Sequence, residues 1–228
     1  GSEKASAGYY SARLTDYDIL AETTASPHGG VLRFTYPENK SSRIQIDLSR
    51  RVGGCSDRQW VKVINDHTVE GWMLCTPECG GWGDGGGNAR YTVYFHAEFS
   101  KAFSRYGFWS ANIPDGWSRH NRDVASLKYQ KRAGKAKVIR GQSEIEGKHV
   151  GFFAEFPTAE GEQVCMHAAI SFVDIEGARK NFDAELSGRS FDDIHAAAVA
   201  MWDKELSKVS VEGGSNDDLT IFYTALYH

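Results

Sequence analysis

Cysteine is scarce in this chain. Its 228 residues hold four, Cys55, Cys75, Cys79 and Cys165, too few for a disulfide scaffold. Proline is low at five while glycine reaches 24, so the turns rest mainly on glycine. The longest apolar stretch, residues 196–202, falls far short of the ~20 residues that span a bilayer. Neither sign of charge dominates, with 26 Lys and Arg against 30 Asp and Glu and a net charge of −4. No long basic run stands out, which argues against a nucleic-acid binder. No leader segment opens the sequence, and Gly1-Ser2 looks like a cloning scar.

Several catalytic signatures are missing too. There is no GxSxG elbow and no HExxH, which disfavours a serine hydrolase of that type and a zincin. Cys75 and Cys79 have no second Cys or His pair at zinc spacing; a disulfide or small core hydrophobes are the better readings. Gly81, Gly83 and Gly86 formally satisfy GxGxxG. A strongly alternating stretch follows from Arg90, however, whereas a dinucleotide site needs a helix there. The stretch 80–88 (GGWGDGGGN) reads as a long hairpin loop with an indole, Trp82, at its centre.

The composition is that of a globular protein, 41% hydrophobic and 12% aromatic. The first two-thirds alternate with period two. Ile44, Ile46 and Leu48 face one way, as do Leu32, Phe34 and Tyr36. Tyr91, Val93, Phe95, Ala97 and Phe99 form a longer row, and Val164, Met166, Ala168, Ile170 and Phe172 another. Side chains on a strand alternate between faces, so these are half-buried strands. Weaker runs lie at 9–14, 17–22, 61–64, 68–75 and 149–156. About ten strands with glycine-rich turns predict an antiparallel sandwich or barrel.

After Asp174 the period changes. Residues 174–185 read as a short helix or turn, and Ile194, Ala197, Ala198, Met201 and Trp202 recur at helical spacing. Ser190 with Asp193 predicts a capping box at that helix start. Residues 213–218 read as a linker, after which Leu219, Phe222, Tyr223 and Leu226 begin a second helical stripe. This stripe stops at His228 without a C-cap, so the natural protein is expected to continue.

Chemistry-bearing residues are spread out. His96 and His167 fall opposite the most regular apolar rows, as surface or sheet-face residues. Glu22, Glu98, Glu155, Asp115 and Asp123 are candidate carboxylates, but no spacing selects a pair. Residues 39–41 (NKS) match a glycosylation acceptor, a triplet common by chance.

Longer segments carry a resemblance. Residues 222–228 (FYTALYH) resemble the opening of the catalytic domain in glycoside hydrolase family 92, the calcium-dependent α-mannosidases. Residues 170–186 (ISFVDIEGARKNFDAEL) resemble another family segment, as do 191–213, with Phe191, Ala198, Trp202 and Leu206 at the family's spacing. Residues 4–14 (KASAGYYSARL), 19–37 and 91–103 (YTVYFHAEFSKAF) complete the set in the right order. Departures are Ala7 and Ala102, where the family usually has proline, and a longer 75–88 loop.

The resemblance implies a mainly β fold, an antiparallel β-supersandwich like galactose mutarotase, with linker helices at its C-terminal end. It implies residues 1–185 as an N-terminal sandwich without its first strands, 186–212 as a linker helix and 213–228 as the start of a helical catalytic domain. The parent protein would be an exo-acting, inverting α-1,2-mannosidase that degrades N-glycans in a bacterial periplasm or outside the cell. Its acid, base and calcium ligands would lie beyond His228, leaving no catalytic or metal residue and no cofactor here. This domain would shape the cleft and buttress the missing catalytic domain, and alone it is expected to be inactive. The alternative is a stand-alone carbohydrate-binding sandwich. Partners would be a mannose-containing glycan and the catalytic domain, with no nucleic acid and no membrane span. The exposed stripe of Phe222, Tyr223, Leu226 and Tyr227 predicts either self-association or a disordered C-terminus. For direct glycan contact, Trp82 ranks first and Trp72 second, since pyranose rings stack on flat indole faces; the alternative is that Trp82 folds under its loop as a core plug.

Overall fold

The computed structural model describes residues 2–51, 54–77, 89–114 and 131–227, with only the backbone of 50, 51, 54 and 55. Trp82, Cys79, Asp115 and Asp123 lie outside the described residues. In chain order the strands are β1 (Lys4–Ser6), β2 (Tyr9–Leu14), β3 (Ile19–Ala25), β4 (Gly29–Tyr36), β5 (Asn39–Asp47), β6 (Arg50–Arg51) and β7 (Gly54–Cys55). There follow β8 (Arg58–Val63), β9 (Thr68–Cys75), β10 (Tyr91–Phe99), β11 (Arg105–Ser110), β12 (Lys137–Ile139), β13 (Glu144–Gly147), β14 (Val150–Thr158) and β15 (Glu162–Ser171). The helices are α1 (Ile175–Glu185), α2 (Phe191–Leu206) and α3 (Asn216–Tyr227).

A nine-stranded sheet runs β1-β2-β3-β4-β15-β10-β9-β8-β13, and a four-stranded sheet runs β12-β11-β14-β5. Strands β6 and β7 form a separate small hairpin. Both large sheets are antiparallel throughout. The sandwich expectation holds, with more and shorter strands than the ten read from the sequence. The period-two rows pack between the sheets: Val61, Val69, Phe95, Ala97 and Phe99 from one side, Ile44, Phe108, Phe152, Ala154 and Phe156 from the other. Phe152 is the hub, with ring centroids 5.9–6.3 Å from Phe99, Phe103, Tyr106 and Phe108. Aromatic rings at such offsets add contact energy beyond the area they bury.

Some expectations shift for local reasons. Residues 17 and 18, expected to open a strand, instead close the β2–β3 turn, where Asp18 has φ 54° and pairs with Arg13. Asp and Asn tolerate that left-handed region better than most residues. The proposed linker 213–218 is shorter, because α3 starts at Asn216. Ser215 and Asp218 exchange hydrogen bonds there, Asp218 N to Ser215 Oγ at 3.2 Å and Ser215 N to Asp218 Oδ2 at 2.8 Å. The reciprocal box is present at α2, between Ser190 and Asp193. Helix α1 forms in full and is capped by Asp174, which accepts from Gly177 N at 2.6 Å.

Helices α1 and α2 cover the outer face of the nine-stranded sheet. Phe182, Leu186, Phe191 and Ile194 pack there on Val31 and Ala169. This second core sits on the far side of the sheet from the first.

Candidate functional site

Strand register sets the functional face. On the outer side of the large sheet, Trp60, Trp72 and Tyr94 stand directly opposite one another on β8, β9 and β10, with Ser171 next on β15. Lys62, Glu70, His96 and Ala169 form the adjoining row. The next contains Thr68, Glu98 and His167. Directly opposed residues share a face and lie close enough to touch. Trp72 is thus a half-buried member of an aromatic row rather than a lone platform. Trp60 anchors one end of the row, its Nε1 donating to Glu144 Oε2 at 3.1 Å.

Helix α1 lies over the second row. Arg179 donates from Nε and Nη2 to the two oxygens of Glu70, at 2.6 and 2.7 Å. His96 Nδ1 is 2.8 Å from Glu70 Oε1, and its Nε2 is 3.2 Å from Glu98 Oε1. The Phe182 ring closes over His96, centroids 4.8 Å apart. His96 is therefore on the sheet face, as read, but is buried rather than on the surface. The covering helix, invisible to strand periodicity, is the reason. His167 sits half-buried beside it, 3.0 Å from the Arg189 carbonyl, and burial pushes its pKa down.

Three buried carboxylates recur in one pattern, each held by arginine. Burial pushes the Glu70 carboxyl up, but Arg179 and His96 outweigh it and hold it below the ordinary value. Arg33 grips Glu22 through Nε and Nη2 at 2.8 and 2.9 Å and lowers it likewise, helped by the Tyr9 hydroxyl at 2.9 Å. Burial raises Glu155 too, yet Arg43 at 2.6 Å and Arg140 at 3.0 Å bring it below the ordinary value. A general acid at neutral pH needs a raised pKa. Glu22, Glu70 and Glu155 have the opposite environment and serve as fixed anions. Glu98, half exposed, meets the other ring nitrogen of His96, so one imidazole lies between two carboxylates.

Calcium takes six to eight oxygen ligands. Among the described residues no group of three His, Cys, Asp or Glu could hold a metal ion. Cys75 is buried at the end of β9, and Cys165 is a half-buried thiol that burial pushes up in pKa. No described helix is long and apolar enough to cross a membrane. Sequence reading missed Glu70, Trp60, Tyr94 and Arg179 as a set. Only the register of β8, β9 and β10 and the seat of α1 bring them together.

Comparison with known proteins bears on this arrangement. The model of the glycosyl hydrolase family 92 N-terminal domain matches residues 1–171, and that of the family 92 catalytic domain matches 177–228. The structure is similar to the family GH92 alpha-mannosidase BT3965 from Bacteroides thetaiotaomicron, with TM-score 0.76 and 32% identity over 99% of this chain and 27% of that one. The same enzyme in complex with mannoimidazole matches equally, over 26% of its length. The family GH92 inverting mannosidase BT2199 from Bacteroides thetaiotaomicron VPI-5482 shares the fold, with TM-score 0.76 at 20% identity over 99% of this chain and 26% of that one. No curated protein matches. The chain thus spans about a quarter of the length of these mannosidases. With its sandwich matched by one family model and its helices by the other, the chain belongs to glycosyl hydrolase family 92.

Proposed function

We propose that this chain is the non-catalytic N-terminal part of an exo-acting, inverting α-1,2-mannosidase, which shapes the mannoside cleft and buttresses the catalytic domain. The division would be 1–185 sandwich, 186–212 linker helix and 213–228 first catalytic-domain helix. The observation that carries this reading is that helices matched by the catalytic-domain model sit on the sandwich, while α3 has no buried residue. Further helices would complete that surface. The aromatic row of Trp60, Trp72 and Tyr94 would line one wall of the cleft, and Trp82 is proposed to contact the glycan.

In this reading the chemistry comes from two carboxyl groups outside the chain. One protonates the leaving oxygen and the other activates water, ~6.5–9.5 Å apart. Calcium, when bound, would supply positive charge to the mannose hydroxyls from oxygen ligands also outside this chain. The residues here orient and buttress. The natural setting would be periplasmic or secreted, and the substrate a mannose-containing N-glycan.

The test is an assay of this chain alone on α-1,2-mannobiose and aryl α-mannosides, beside an enzyme carrying the catalytic domain. The chain alone should show no turnover, and Trp72→Ala in the longer enzyme should raise KM more than it lowers kcat. Turnover that follows the isolated chain through purification would refute the reading. The second reading, a stand-alone carbohydrate-binding sandwich, is favoured by the aromatic row itself. Calorimetric titration of the chain with mannose and mannobiose separates the two: binding lost in Trp72→Ala or Trp82→Ala without loss of thermal stability supports the module.

A further inference from the structure

The outer face of the four-stranded sheet lies across the sandwich from the helices. The proposed mannosidase role makes no use of it. Phe108, Phe152 and Ile44 point into the core, so their strand neighbours point outward. Register then arranges the outward side chains in rows. Asp47, Gly151, Trp109 and Val138 form the first, Gln45, Phe153 and Gly107 the second, and Arg43, Glu155 and Arg105 the third.

Gly151 makes room for Trp109. A Cβ there would lie 2.0 Å from Cζ2, 2.3 Å from Cη2 and 2.5 Å from Cε2 of the indole. Near-equal distances to three consecutive ring atoms mean that the ring face, not its edge, rests on Gly151. The indole lies flat on the sheet with its second face turned away from it. Val138, 61% exposed, extends the platform toward the edge. Asp47 turns one oxygen to the Ser49 backbone and hydroxyl, at 3.0 and 2.7 Å, beside this platform.

The third row carries surplus positive charge. Glu155 faces Arg43 at 2.6 Å, Arg140 at 3.0 Å and Arg105 at 3.3 Å. One carboxylate meets three guanidiniums, and the side chains of those arginines are 42–62% exposed. Arg43 and Arg140 also cover the Phe153 ring, 4.3 and 5.0 Å from its centroid. The approach to β12 adds Lys131, Arg132 and Lys135, and residues 131–140 hold no acidic side chain. The chain as a whole is negative, so this basic face is a local feature.

The geometry points to a second, non-catalytic carbohydrate site here, which takes an acidic oligosaccharide built of hexuronate units. A pyranose ring stacks on Trp109, and the carboxylate of that ring or its neighbour meets Arg105 and Arg140. Ring C–H groups suit the negative face of an indole, and the guanidinium fork matches a carboxylate. The site is independent of the mannosidase reading, and activity on mannosides has no part in its test.

The test is calorimetric titration of the chain with an oligomannuronate, beside neutral mannotetraose and polyvinyl sulfate. Oligomannuronate should bind, and mannotetraose at least about tenfold more weakly. Binding should weaken as salt rises, since exposed charges are screened beyond ~10 Å at 0.1 M. Trp109→Ala should lose at least about tenfold, as when an aromatic anchor is truncated. That change also uncovers Gly151, so Arg105→Gln is measured too. It alters one exposed side chain, leaves Arg43 and Arg140 on Glu155, and should weaken binding about threefold with an unchanged melting temperature. No binding of oligomannuronate overturns the proposal, and so does equal binding of the neutral sugar. Binding of polyvinyl sulfate and oligomannuronate alike, both indifferent to Trp109→Ala, also overturns it, since the face would then be a general polyanion patch.

Discussion

Arg33 in β4 donates from Nη1 to Asp192 in α2 at 2.9 Å, while its Nε and Nη2 hold Glu22 in β3. The same guanidinium lies 4.0 Å over the Phe191 ring. One cation therefore joins two strands to the first turn of the helix that follows the sandwich.

The two carboxylates on Arg33 should differ in weight. Glu22 is 8% exposed and Asp192 78%. Removing one partner of a buried pair strands the other charge and costs ~3–5 kcal/mol. Arg33→Met should thus lower unfolding free energy by about that much, and Asp192→Asn by at most ~1 kcal/mol. Urea denaturation of both variants measures this, and equal losses would show that the helix contact, not Glu22, dominates.

The buried carboxylates also set an acid limit. Glu22, Glu70 and Glu155 have folded-state pKa values below the ordinary 4.5. In that window the folded state binds fewer protons than the unfolded one, so stability falls as protons are added. Their contribution is complete above the ordinary value and is lost as pH drops from 4.5 toward the folded values. Urea midpoints measured between neutrality and strong acid should show a decline concentrated below the ordinary carboxylate value. Glu70→Gln should be less stable at neutral pH but lose less on acidification.

Gly71 in β9 should tolerate no side chain. A Cβ would sit 2.3 Å from the Trp60 carbonyl oxygen and 2.6 Å from Phe95 Cε1. The carbonyl belongs to the neighbouring strand and cannot turn aside, so Gly71→Ala must push the strands apart. Overpacking of this kind costs ~1–3 kcal/mol. The melting temperature of Gly71→Ala reads the loss, and a wild-type value would mean that β8 yields at that point.

Much of the fold was legible from period two and a few caps. Ile44, Phe95, Ala97, Phe99 and Val164 sit in the core where alternation placed them. Ser190 and Asp193 form the box their spacing announces. The misses share a cause. Strand β14 read as a weak run because Phe152, Phe153, Ala154 and Glu155 are all buried. Its second face is roofed by Arg43 and Trp109 from the neighbouring strands and by Arg140 just after β12, so alternation disappears. Conversely, Ile170 and Phe172 continue an apolar row yet are 39% and 64% exposed. The site was least legible of all: Glu70, His96 and Arg179 are 26 and 83 residues apart in succession, and nothing local couples them. Only sheet register and helix docking do.

Helix α3 gives the last prediction. It has no buried residue, and Ile221, Leu226 and Tyr227 are 68%, 38% and 41% exposed. Its ring contact with the rest of the chain is Tyr227 on Trp202, centroids 4.4 Å apart and planes at 32°. A helix of 12 residues is marginal in water by itself, since isolated helices shorter than ~12–15 residues rarely persist. Its apolar face therefore needs a cover. In this chain alone, α3 should either bring two copies together or fray. Sedimentation equilibrium with backbone amide exchange distinguishes these outcomes. If copies associate, Ile221→Glu with Leu226→Glu should yield monomer and leave the melting of the sandwich unchanged, because no core residue is touched. If α3 frays, its amides should exchange at once while those of α2 stay protected, and Trp202→Ala should change nothing further. A monomer with protected α3 amides would contradict both, and would mean that the Trp202–Tyr227 contact alone suffices to hold the helix.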